Sequence, residues 1–119
     1  MRCLIVDDSH EFLDAARRLL RQQGVEVAGV ASTGDEVVRL ARELRPDVTL
    51  IDIDLSGEDG FAVARRLAEV EGHGGKLIFI STHAEDEFAE LVESSPGIGF
   101  VSKSSLSAAA IDQVIRRRP

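Results

Sequence analysis

Residues 48–60 read Val48-Thr49-Leu50-Ile51-Asp52-Ile53-Asp54-Leu55-Ser56-Gly57-Glu58-Asp59-Gly60. Val48 to Ile51 are apolar or β-branched and run straight into Asp52, and turn-forming residues come next. A short apolar run bounded by turn signals is the pattern of a strand buried on both faces. In an open parallel sheet, ligands bind beyond the carboxyl ends of the strands. Asp52 therefore stands where chemistry is done, and the chain is read outward from it.

Upstream, Arg2 to Val6 form a buried-type strand that ends at Asp7-Asp8. Ser9 or Asp8 caps a helix with Phe12, Leu13, Ala16, Leu19 and Leu20 at helical spacing, and Gly24 stops it. Val25 to Ala31 alternates, with Val25, Val27, Gly29 and Ala31 expected on one side, as in a less buried edge strand. Ser32 to Asp35 make a turn and cap, Val37, Val38, Ala41 and Leu44 mark a second helix, and Pro46 ends it. Downstream, Gly60 opens a third helix with Phe61, Ala64, Leu67 and Ala68 inward, and Gly72, Gly74 and Gly75 break the chain. Leu77 to Ile80 is a fully apolar strand ending at Ser81-Thr82. A helix from about Glu85 to Ser94 carries Phe88, Leu91 and Val92. Ile98 to Val101 is a short strand before Ser102-Lys103-Ser104, and Leu106, Ala109, Ala110, Val114 and Ile115 mark the last helix. Strict alternation of strand and helix predicts an α/β, doubly wound, five-stranded parallel sheet. The first, third and fourth strands are continuously apolar and the second and fifth look like edges, which fits the order 2-1-3-4-5.

The composition is that of one globular domain: 119 residues, 44% hydrophobic and 29% charged. A net charge of -7 argues against a non-specific nucleic-acid or anionic-membrane surface. Arg116, Arg117 and Arg118 read as a solvated helix end complementing the helix dipole. Cys3 stands alone in an apolar strand, so it forms no internal disulfide and is expected to be inert core. With no apolar run of transmembrane length and no signal peptide, the expected location is the cytoplasm.

The strand ends converge. The first delivers Asp7 and Asp8, the third Asp52 with Asp54 just beyond, the fourth Ser81 and Thr82, and the fifth Lys103. Carboxylates packed this closely repel each other and raise each other's pKa unless they are neutralised. A hard divalent cation does so; magnesium takes one or two carboxylates and keeps several waters. A carboxylate beside it can attack phosphorus to form an aspartyl phosphate, with metal, ammonium and hydroxyl each meeting one peripheral oxygen. Taken singly, Asp8 reads as a helix cap, Ser81 as a strand-end hydroxyl and Lys103 as a solvated cation. Their joint placement at the correct strand ends carries the functional reading.

On these residues the chain resembles the receiver domain of bacterial two-component response regulators, over essentially all of residues 1–119. Asp7-Asp8, Asp52 with Asp59-Gly60 after it, Ser81 and Lys103 carry the resemblance. It implies the flavodoxin-like fold. Residues 1–119 are expected to form a single receiver domain, with no output domain among them, and the resemblance implies a signalling switch rather than an enzyme. Asp52 would accept a phosphoryl group from a phosphohistidine on a sensor histidine kinase or phosphotransfer protein. Asp7, Asp8, Asp52 and the Asp54 backbone carbonyl would hold Mg2+, or Mn2+ in its place. Lys103 would pair with Asp52 and then with a phosphoryl oxygen. Ser81 would swing toward that oxygen and Phe100 would move inward, a local charge event biasing a bistable packing. The fourth helix, fifth strand and fifth helix, Glu85 to Arg118, would form the output surface and a homodimer face, with no direct nucleic-acid contact and no membrane contact.

The chain also departs from the family pattern. Leu55-Ser56 stand where Met-Pro is usual. Thr82 replaces a small residue and is expected to narrow access to the phosphoryl group. Phe100 lacks the hydroxyl of many relatives. Ser104 replaces the usual proline, and a cis bond without proline costs about 2.5–4 kcal/mol, so Lys103–Ser104 is expected to be trans or, if cis, strained. Asp54 and His83 flank the acceptor and are candidates for tuning phosphoryl lifetime. Two other readings stand beside the switch. One is a phosphorylation-independent interaction module with a vestigial site. The other is a haloacid-dehalogenase-like phosphatase, since Asp52-Ile53-Asp54 also reads as DxD, although that motif normally follows a first strand. Residues 27–47 are similar to receivers that carry a C-terminal helix-turn-helix, so the chain is either part of such a regulator or a stand-alone receiver acting through protein contact.

Overall fold

A computed structural model describes residues 1–70, 75–83 and 87–117. The sheet strands are β1 (Arg2–Val6), β2 (Glu26–Ala31), β3 (Val48–Asp52), β4 (Lys76–Ser81) and β5 (Gly99–Ser102). The helices are α1 (His10–Gln22), α2 (Gly34–Leu44), α3 (Gly60–Ala68), α4 (Ala89–Glu93) and α5 (Ala108–Arg117). All pairings in the sheet are parallel and the order is β2-β1-β3-β4-β5, the expected one, with β2 and β5 at the edges.

The period-two alternation of each strand divides the core. Leu4, Val6, Ile51, Leu77, Phe79 and Phe100 pack under α2, α3 and α4. Cys3, Ile5, Leu50, Ile78, Ile80 and Val101 pack under α1 and α5. Each large aliphatic side chain fully buried in this way contributes about 1.5–3 kcal/mol. Burial pushes the Cys3 thiol up to about 12, so it is un-ionised core.

Several local expectations are corrected. Val25, Val27, Gly29 and Ala31 do not share a side. Cys3 pairs with Val27 but Leu4 pairs with Gly29, so Ala28 is an extra residue in a bulge. The bulge reverses the parity of β2. Val25 and Val27 face the α1/α5 layer, whereas Ala31 faces the other. In α3, Ala68 is exposed and Val63 takes the inner position. In α5, Ala109 is exposed and Ile111 is buried. The α4 helix is short, with Phe88 at its N-cap, Val92 buried and Leu91 exposed. Its expected start at Glu85, the breaks at Gly72 and Gly74, and Arg118 lie outside the described residues.

The loop after β3 is a hairpin rather than an irregular segment. Asp54–Leu55 pair antiparallel with Glu58–Asp59 around Ser56-Gly57, and Gly57 takes the left-handed φ of 88° that this tight turn uses. Leu55, where the family pattern has Met, is buried against the α2/α3 layer. Glu58 accepts from the Gly34 N–H at 2.9 Å, fastening the hairpin to the start of α2. The chain then returns so closely that a Cβ on Gly60 would overlap the Asp52 carbonyl oxygen and lie 2.8 Å from Ile53 Cα. Gly60 N–H donates to the Ile53 carbonyl at 2.8 Å, which fixes the backbone just beyond Asp52.

Candidate functional site: an acidic cluster bridged by a lysine

The three central strands end in a carboxylate, a carboxylate and a hydroxyl because each apolar run stops at the rim of the core. Asp7 and Asp52 are buried and Asp8 is exposed. One carboxylate oxygen from each lies within 4.8 Å of the others. Ser9 caps α1, accepting from Phe12 N–H, and its own N–H donates to Asp7 Oδ1 at 2.8 Å. Asp54 N–H donates to Asp52 Oδ1 at 3.1 Å. The exposed Asp54 side chain points to no partner among the described residues, and it lines a groove of about 690 Å³ with His83, Phe61 and Phe88.

Lys103 follows β5 in a short 3-10 turn, Lys103–Ser105. Its Nζ lies 2.9 Å from Asp52 Oδ2 and 2.5 Å from Asp7 Oδ2, and 4.6 Å from the centroid of the Phe12 ring. The fully buried Asp7 Oδ2 faces the Lys103 ammonium and no other partner among the described residues. No cis peptide occurs among the described residues, so Lys103–Ser104 is trans.

Burial raises the Asp52 carboxyl above its ordinary range. Lys103 and the Asp54 N–H pull it back without cancelling the shift, and Asp7 adds to it. For Lys103, burial opposes the charge, but the contacts to Asp7 and Asp52 outweigh it and hold the ammonium above its ordinary value. The site thus holds more negative charge than one ammonium balances.

Ser81 is buried at the end of β4, and its hydroxyl is engaged by His83. Thr82 is exposed beside it. Phe100 is buried under α4 rather than waiting outside the core, so in this structure the inward aromatic coexists with a Ser81 hydroxyl bonded elsewhere.

The ligand atoms gathered at the cluster are all carboxylate oxygens, from three carboxylates with one ammonium beside them. A hard divalent cation fits that set. A family model of the response regulator receiver domain matches residues 3–116.

This chain belongs to the response regulator receiver family.

The receiver is 34% identical over 116 residues to the transcriptional regulatory protein LiaR of Bacillus subtilis, covering 96% of this chain and 54% of LiaR. It is 29% identical to the response regulator GacA of Pseudomonas aeruginosa, covering 88% and 49%. The chain therefore spans about half the length of these curated relatives. Among solved structures, it superposes on a LuxR-family response regulator from Aurantimonas with a TM-score of 0.81 at 29% identity, covering 98% and 82%. On the receiver domain of NarL from Mycobacterium tuberculosis the TM-score is also 0.81, at 28% identity, covering 96% and 95%. The expected fold and family are borne out: this is a two-component receiver domain with a flavodoxin-like sheet. No described helix is long and apolar enough to cross a membrane.

Proposed function

We propose that Asp52 is the phosphoacceptor. A carboxylate oxygen of Asp52 forms the new O–P bond while the N–P bond of a phosphohistidine on a sensor histidine kinase or phosphotransfer protein breaks. The imidazole leaves with the electron pair. The observation that carries this reading is the single ammonium of Lys103 shared between Asp7 and Asp52. It leaves a net negative, oxygen-lined cluster beside a carboxylate that has one fixed backbone donor.

Asp7, Asp8, Asp52 and the Asp54 carbonyl would hold Mg2+ or Mn2+, which supplies charge neutralisation for the transferring phosphoryl group. Lys103 then moves its pairing from Asp52 to a phosphoryl oxygen, and the Ser81 hydroxyl meets another, with Thr82 bordering the approach. Asp54 and His83, which line one groove, set how fast water removes the phosphoryl group. Phe100 and the face of α4, β5 and α5 read the change out to a partner or a second copy of the chain. The cycle consumes and regenerates Asp52, so this is a switch rather than an enzyme, working in the cytoplasm where such donors are found. Acetyl phosphate with Mg2+ tests it: the wild type gains about 80 Da, one phosphoryl group, and Asp52→Asn gains nothing. Equal mass gain in the variant, or none in the wild type, refutes the assignment.

A further inference from the structure

The Ser81 hydroxyl already has two partners. Its Oγ accepts from the His83 backbone N–H at 3.0 Å and lies 3.2 Å from His83 Nδ1. The described hydrogen bonds of the Asp52 carboxylate come from Asp54 and Lys103, not from Ser81. The same imidazole packs on Phe88 at 5.8 Å, with the rings at 80°. Phe88 is the N-cap of α4, and its ring lies 6.5 Å from Phe61, which packs on Phe79 at 4.6 Å. One exposed ring thus touches the hydroxyl at the rim of the site and the front of α4.

We propose that His83 is a positioning residue: in the unphosphorylated domain it holds the Ser81 hydroxyl off the phosphoryl site, and through Phe88 it ties release of that hydroxyl to α4. This rests on the reading of Asp52 as phosphoacceptor and Ser81 as phosphoryl contact. A hydroxyl has one proton to give. With Nδ1 unprotonated, that proton is committed to the ring, and the backbone N–H occupies one lone pair. To meet a phosphoryl oxygen the O–H must leave Nδ1, so phosphoryl binding is set back by one net hydrogen bond, roughly 2- to 12-fold. Among the described residues, the freed imidazole then keeps its contact with Phe88. A local serine turn would need the His83 N–H alone; the ring contact is what separates a latch from a turn.

The test has two arms. The first uses unphosphorylated protein and the nitrogen NMR signals of the His83 ring. Ser81→Ala shifts the Nδ1 signal if the contact exists, and an unmoved signal overturns the proposal whatever Asp52 does. The second measures affinity for beryllium fluoride, a phosphoryl mimic, in the presence of Mg2+. His83→Phe keeps a ring against Phe88 and the backbone N–H but loses the nitrogen, so it binds roughly 2- to 12-fold more tightly. His83→Asn, which restores a polar partner, returns toward wild type. In a Ser81→Ala background His83→Phe gains nothing. The same gain in that background, or none in the single variant, overturns the latch. If no variant and no wild type binds the mimic, the phosphoacceptor reading and the role given to the hydroxyl fall together, while the first arm still decides the Ser81–His83 contact.

Discussion

Lys103 Nζ stands 2.5 Å from Asp7 Oδ2 and 2.9 Å from Asp52 Oδ2, so one ammonium serves carboxylates at the ends of two different strands. Lys103 follows β5, and β4 lies between β5 and β3, so the side chain spans the width of a strand to reach them. It is largely buried there, and this contact holds the cluster together when no cation is bound.

Removing that ammonium leaves two buried carboxylates unpaired. Lys103→Met is expected to cost about 3–5 kcal/mol in cation-free buffer, the range for breaking one side of a buried ion pair. Urea unfolding at neutral pH measures it. Adding Asp52→Asn to Lys103→Met should recover much of the loss, since one of the stranded charges is then gone.

The pH dependence has a defined sign. Lys103 is held above its ordinary value of 10.5, so its contribution is fully present below that value and is lost as pH rises through its higher folded value. Wild type should lose stability above about pH 10.5 more steeply than Lys103→Met. Equal slopes in the two proteins would show that the contact contributes nothing.

Asp52 follows the same sign in an acid window, so its contribution is already lost at neutral pH. Its folded pKa is raised above 3.8, so its favourable contribution exists below 3.8 and is lost as pH rises through the folded value. At pH 7 the ionised carboxylate is therefore expected to weigh against the cation-free fold. Asp52→Asn should therefore melt higher than wild type at pH 7, with the gain vanishing near pH 3. A lower melting temperature at pH 7 would mean that the Lys103 pairing outweighs burial.

Cation binding should act as a ligand for the folded state. At a Mg2+ concentration a hundredfold above its Kd, wild type gains about 2.7 kcal/mol. Asp8 is exposed and supplies one of the clustered oxygens, so Asp8→Asn should leave cation-free stability nearly unchanged and abolish most of the gain. Thermal unfolding with and without Mg2+ separates the two effects.

Gly60 is a steric requirement of the site. A Cβ there would overlap the carbonyl oxygen of Asp52 and meet Ile53 Cα at 2.8 Å, and these are backbone atoms with nowhere to move. Gly60→Ala should cost at least about 1–3 kcal/mol, as overpacking does, and should slow phosphorylation by displacing Asp52. Denaturant unfolding and the mass assay report the two consequences separately.

Much of the fold and site was legible because strand burial and strand ends are written directly in the residues. Val48 to Ile51 read as a strand buried on both faces, and the residue after such a strand in a parallel sheet lies at the functional rim. Asp7, Asp8, Asp52, Ser81 and Lys103 are found in this way without any knowledge of distances. The β2 bulge was not legible, because alternation looks regular until pairing with Cys3 and Leu4 inserts Ala28. The hairpin at Asp54 to Asp59 had a signal in Ser56-Gly57, but its polar residues read as loop. The bond from Ser81 to His83 depends on rotamer choice at a strand end, which spacing does not encode.

The most direct measurement of the central claim is the chemical location of the transferred group. After incubation with phosphorylated sensor kinase or acetyl phosphate and Mg2+, borohydride reduction converts an aspartyl phosphate to homoserine, and peptide mass spectrometry reads its position. Homoserine at position 52, absent in Asp52→Asn and without added donor, is the predicted result. Homoserine at Asp7, Asp8 or Asp54 instead, or at none of them, would contradict the account.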